Sequence, residues 1–134
     1  MTKQEIFDAA TLTAESSILT MCHFLLNLPE EGDKEINETK NTLDRLLEIH
    51  ENAGNLGAVI FNHVRLYPEA PLTKHLIRTG KLSPETNLLY PVYHNPEPNA
   101  NLIHELEARC HRAGVFSRLQ LPLKLPMKLP MEQK

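Results

Sequence analysis

Apolar and polar positions along this chain change period several times, and each change marks an element. Residues 2–17 carry Ile6, Ala9, Ala10, Leu12 and Thr13 at helical spacing behind Thr2, which predicts a short helix capped by that threonine. Residues 18–28 are a near-continuous apolar run containing Ile, Thr and Phe and stopped by Pro29. Without clear alternation, the run predicts a strand covered on both faces, as in a parallel sheet. Gly32 then supplies a turn and Asp33 a helix cap, and Ile36, Leu43, Leu46, Leu47 and His50 fall along one helical face to about residue 51. The cluster Asn-Ala-Gly-Asn-Leu-Gly at 52–57 marks another turn, and residues 58–66 predict a second buried strand, stopped by Pro68. Strand, helix, strand in this order predicts a right-handed crossover joining two parallel strands.

Further along, Pro71 suits the first turn of a short helix running to Thr79, with Gly80 at its C-terminal end. Residues 83–98 contain prolines at 84, 91, 96 and 98, which predicts an irregular connection. Residues 99–113 place Leu102, Ile103, Leu106 and Cys110 on one side of a helix ended by Gly114. The chain closes on a repeat, Leu121-Pro-Leu-Lys, Leu125-Pro-Met-Lys, Leu129-Pro-Met-Glu, in which proline at every fourth position prevents a helix and leaves extended or polyproline-like conformations. A partner's apolar groove is one place such a tail fits.

Composition narrows the class. At 134 residues the chain has one domain's worth of core, short of the roughly 200 to 250 residues of a complete α/β barrel. Hydrophobic residues make up 41% and charged residues 23%, the balance of a globular domain. No run of about 18 apolar residues exists to span a membrane, and the N-terminus, with Lys3, Glu5 and Asp8, lacks a signal peptide's apolar stretch, so the expected location is cytoplasmic. A formal charge of -3 argues against nucleic acid as the main partner. The charge is uneven, because from Arg109 onward six basic residues stand against Glu132 alone. Cys22 and Cys110, far apart in sequence, are expected to be reduced structural thiols. The dipeptides Cys22-His23 and Cys110-His111 do not make a zinc site, since neighbouring residues point apart on a strand or a helix.

Two proline-ended motifs carry the most specific signal. The first apolar run ends Asn27-Leu28-Pro29-Glu30-Glu31-Gly32, and the second ends Arg65-Leu66-Tyr67-Pro68-Glu69-Ala70-Pro71-Leu72. Together they resemble the later strands of a radical S-adenosylmethionine enzyme barrel, whose corresponding motifs usually read Leu-Pro-Gly-Glu-Thr and Arg-Leu-Tyr-Pro-Gly-Thr-Pro-Leu. Thr39 in the intervening helix, the Arg78-Thr-Gly80 turn and the segment Leu88-Leu-Tyr-Pro-Val-Tyr93 extend the resemblance over roughly residues 13–98. Glu30 and Glu69 stand where glycine is usual, and Gly32 and Ala70 where threonine is usual. The resemblance implies a partial, half TIM-like barrel with parallel strands and crossover helices (residues 1–98), followed by a C-terminal helical segment (99–118) and an extended proline-rich tail (119–134). It also implies S-adenosylmethionine as cofactor. Family members hold a 4Fe-4S cluster through three closely spaced cysteines, and that cluster loop has no counterpart here. The cluster is therefore expected only in a full-length relative, and the chain corresponds to a C-terminal fragment, a truncated gene product or a degenerate relative that is not catalytic alone.

In barrel geometry, the face carrying Met21, His23, Leu25 and Asn27 pairs with Phe61, His63 and Arg65, bringing polar groups together near the carboxyl ends of the strands. Arg65, His63, Asn27 and His23 are thus the candidate cofactor-binding residues, with Arg65 holding a carboxylate. The alternative is internal satisfaction, with Arg65 paired to Glu31 or Glu69. A rival function of another class fits the same residues: a non-enzymatic half-barrel binding or assembly module that uses its open sheet edge and basic tail to engage a partner or a second copy.

Overall fold

A computed structural model describes residues 1–94 and 100–119, which form a mixed α/β unit with an open, all-parallel sheet. The elements run α1 (Lys3–Glu15), β1 (Thr20–Leu26), α2 (Asp33–His50), β2 (Leu56–His63), α3 (Pro71–Arg78), α4 (Ala100–Arg112) and β3 (Phe116–Leu119). Pro96, Pro98, the boundary expected at 98/99 and the repeat at 121–134 lie outside the described residues.

Each helix begins for a local reason. Thr2 caps α1 as its sequence predicts, its hydroxyl accepting from Glu5 N while Glu5 accepts from Thr2 N, a reciprocal box that satisfies two orphan donors. The cap of α2 is Gly32 rather than Asp33. Asp33 is the first helical residue, and Gly32 N donates to Glu35 Oε2 at 3.0 Å, so glutamate closes the turn from inside the helix. Pro71 opens α3, and Gly80 and Gly114 take left-handed backbone just beyond α3 and α4, where only glycine turns without cost.

The sheet order is β1-β2-β3, and both pairs are parallel. Leu43 and Leu47 of α2 and Leu102, Ile103, Leu106 and Cys110 of α4 bury Leu26, Val59 and Phe61 on one face. Three ion pairs tie the helices above that core: Lys3 to Glu38, Lys40 to Glu105 and Arg109 to Asp44. At the amino-terminal end, Asn55 joins four segments. Its Nδ2 donates to the carbonyls of Thr13 (2.7 Å), Ser16 (2.9 Å) and Ile18 (3.0 Å), and its Oδ1 accepts from His50 Nδ1 at 2.8 Å.

Three expectations are corrected. The first strand is shorter than 18–28 and covered on one face only: Met21, His23 and Leu25 are exposed while Leu26 is buried. Residues 116–119 are a strand, not helix or tail, so β2 is the central strand and the free edges belong to β1 and β3 among the described residues. The face pairing is also shifted by one. Register matches His23 to Ile60, Leu25 to Asn62 and Leu26 to His63, and paired residues of parallel strands share a face. Met21, His23 and Leu25 therefore lie with Ala58, Ile60 and Asn62, and Phe61 and His63 belong to the opposite, helix-covered side.

Candidate functional site

The carboxyl ends of β1 and β2 frame a cavity of about 480 Å³ lined by Leu25, Asn62, His63, Val64, Arg65, Tyr67 and Tyr93. Backbone pairing builds its wall. Leu66 N donates to Val92 O at 2.7 Å and His94 N to Val64 O at 2.8 Å, an antiparallel bridge that aligns Arg65 with Tyr93. The bridge sets the Tyr93 ring edge-on to His63, centroids 6.4 Å apart. Tyr67, one turn of chain beyond, lies under the Arg65 guanidinium at 5.0 Å, a stacking that holds the cation while leaving its edges free to donate.

His63 is 4% exposed, and burial pushes its pKa below the ordinary value. Asn27 Nδ2 lies 3.5 Å from His63 Nδ1. An amide nitrogen only donates, so this contact favours the tautomer with hydrogen on Nε2. Nε2 is buried without a hydrogen-bond partner among the described residues, and so is Arg65 Nε. Both residues line the cavity, and these two atoms are sealed beneath its surface.

Neither acid of the internal alternative accepts from them. Glu31 accepts from Asn27 N at 2.9 Å, closing its own loop, and Glu69 pairs with Lys74 at 2.7 Å. Asn27 has φ 56°, so the chain leaves strand geometry there, breaking the alternation that would have sent it away from His63. Glu30 and Glu69 also have positive φ, 63° and 64°.

Of the four residues expected from sequence, Arg65 and His63 meet at the cavity and Asn27 stands behind His63 as its partner. His23 does not join them. It lies on the open face, its Nδ1 accepting from Asn62 Nδ2 at 3.1 Å and its Nε2 3.3 Å from Met21 Sδ. Tyr67 and Tyr93 were missed as site residues although both sit in the motifs quoted above. Their signal was an aromatic ring directly beside a proline-stopped strand or within its pairing segment.

The two cysteines sit apart, Cys22 on β1 and Cys110 fully buried on α4, and burial raises both thiol pKa values. Two separated thiols do not meet the three-thiolate requirement of a 4Fe-4S cluster. No family model, curated protein or solved structure matches the chain.

Proposed function

We propose that this chain is a half-barrel related to the radical S-adenosylmethionine enzymes, as a C-terminal part or a degenerate relative. In this reading it holds S-adenosylmethionine or a substrate carboxylate at the carboxyl ends of its strands and is not catalytic by itself. The observation that carries the proposal is the pair of buried, unpartnered donors, His63 Nε2 and Arg65 Nε, at one cavity. An unmade hydrogen bond at a buried donor costs about 1 to 3 kcal/mol, and a carboxylate supplies two acceptor oxygens and the charge that Arg65 lacks.

Two further features support the family reading. β1, α2 and β2 make a parallel strand-helix-strand unit with the polar groups at its carboxyl end, where α/β barrels carry their sites. Glu30 and Glu69, which replace the family's glycines, adopt the left-handed backbone that favours glycine, so the loops keep a glycine-like course under a different side chain.

Within the site, Arg65 neutralises the ligand's carboxylate and His63 donates through Nε2. Asn27 holds the imidazole tautomer, while Tyr67 stacks on Arg65 and Tyr93 packs edge-on against His63. In the parent family the cluster supplies reductive cleavage of S-adenosylmethionine, and this chain's thiols do not fit one.

The test is calorimetric titration with S-adenosylmethionine, S-adenosylhomocysteine and methionine, each carrying the same carboxylate. Arg65→Ala is expected to weaken binding by about 1.5 to 3 kcal/mol, the range for a hydrogen bond to a charged group, with little change in melting temperature. No measurable binding by the wild type, with a clear loss of stability in the variant, would make Arg65 a structural residue. The rival assembly-module reading is favoured by a separate observation, the apolar side chains Met21, Leu25 and Phe116 exposed on the uncovered sheet face.

A further inference from the structure

His63 Nε2 and Arg65 Nε lie beneath the surface of the cavity whose wall their residues form, so a ligand arriving from solvent reaches them only if part of that wall moves. One short segment is built to do so. Residues 91–94 cross the end of β2 as a strap, joined to residues 64–66 by an isolated antiparallel bridge at Arg65 and Tyr93. Two backbone hydrogen bonds flank the bridge, Leu66 N to Val92 O at 2.7 Å and His94 N to Val64 O at 2.8 Å, and the strap belongs to none of the three sheet strands.

Packing holds the strap lightly on either side. In front, Tyr93 meets His63 edge-on, centroids 6.4 Å apart, at the cavity of about 480 Å³. Behind it lies a second cavity of about 340 Å³, lined by Leu66, Leu76, Leu82, Val92 and again Tyr93. Protein interiors are otherwise close-packed with few voids, so a segment with space on both sides has somewhere to go. The chain leading into the strap adds no anchor, since Leu89 and Tyr90 are 83% and 57% exposed. The main core adds none either, because neither Val92 nor Tyr93 belongs to it.

We propose that residues 91–94 are a gate over the candidate site. The two flanking bonds part, Tyr93 swings off His63 toward the rear cavity, and His63 opens to a small carboxylate-bearing ligand over which the strap closes again. What enters rests on the proposed ligand site; the opening itself does not. Because the opening is local, β2 stays paired with β1 and β3 throughout.

A reversible staple tests the gate. The register puts Val64 opposite His94, at about the 5.5 Å Cα separation of a hydrogen-bonded antiparallel pair, which a disulfide spans. Val64→Cys/His94→Cys therefore holds the strap shut when oxidised and frees it when reduced and desalted. Diethyl pyrocarbonate reports access to His63: it transfers an ethoxycarbonyl group to an imidazole nitrogen, releasing ethanol and carbon dioxide, and mass spectrometry reads the label residue by residue. Exposed His23 serves as the internal reference. His63 is expected to label about tenfold faster in the reduced form than in the oxidised one, with His23 unchanged. Tyr93→Ala removes the covering ring, keeps both backbone bonds, and is expected to speed His63 labelling over the wild type by a similar factor. Amides of β2 that stay protected from hydrogen exchange in every form separate opening of the strap from unfolding. Equal His63 labelling in oxidised and reduced protein, or no labelling of His63 in the reduced form, would overturn the gate. Labelling that responds to the staple while neither form binds S-adenosylmethionine by calorimetry would support the gate and count against the ligand site alone.

Discussion

Asn55 shows how much one side chain in a turn can carry. Its Nδ2 reaches three carbonyls at the end of α1 and the entry to β1, and its Oδ1 accepts from His50 at the end of α2. Asn55→Ala is expected to destabilise the protein by about 2 to 3 kcal/mol, several net hydrogen bonds at about 1 each, measured as a drop in the urea midpoint at unchanged slope. A loss under about 0.5 kcal/mol would mean that water replaces these bonds. Sequence marked 52–57 as a turn and no more, because local pattern does not reveal which distant carbonyls a turn amide meets. Sequence brings His63 and Arg65 to one cavity because they stand at the end of a proline-stopped strand and just beyond it. His23 was misplaced because strand parity was counted from the wrong pairing register, an error of one residue that moves every side chain to the other face.

Among the elements, helices followed their patterns closely, since caps and apolar stripes are local. The strands were harder. β1 reads as apolar on both faces because Met21 and Leu25 interrupt the alternation expected of a solvent face, yet both are more than half exposed. β3 is only four residues, two of them Ser117 and Arg118, and it exists through pairing with β2, 58 residues earlier, a contact no local window records. The loops after β1 and β2 hold a third kind of information. Left-handed backbone costs an L-residue roughly 1 to 2 kcal/mol, and glycine offsets part of the relief through its own chain entropy. Glu30→Gly and Glu69→Gly should therefore each stabilise by about 0.5 to 1 kcal/mol in thermal melts. The Glu69–Lys74 pair is too exposed to reverse that gain. Destabilisation by both substitutions would show that the glutamates serve the loops through their side chains.

For the whole molecule, the proposed ligand binding and radical chemistry are separable. Cys22 and Cys110 lie on different elements, so anaerobic incubation with iron and sulfide is expected to yield no stoichiometric cluster, read by iron and sulfide content after desalting. A stable cluster with reductive cleavage of S-adenosylmethionine would contradict it. The proposed carboxylate site at the carboxyl end of the sheet is tested by following His63 by NMR through a pH titration. Free of ligand, burial holds its folded pKa below the ordinary 6.5. The folded state then binds fewer protons than the unfolded chain, so the His63 contribution to stability is full above about 6.5 and is lost as pH falls through the lowered folded value. With saturating S-adenosylmethionine, a carboxylate accepting from Nε2 favours the charged imidazole, and the His63 pKa is expected to rise. An His63 that titrates identically with and without ligand would contradict it.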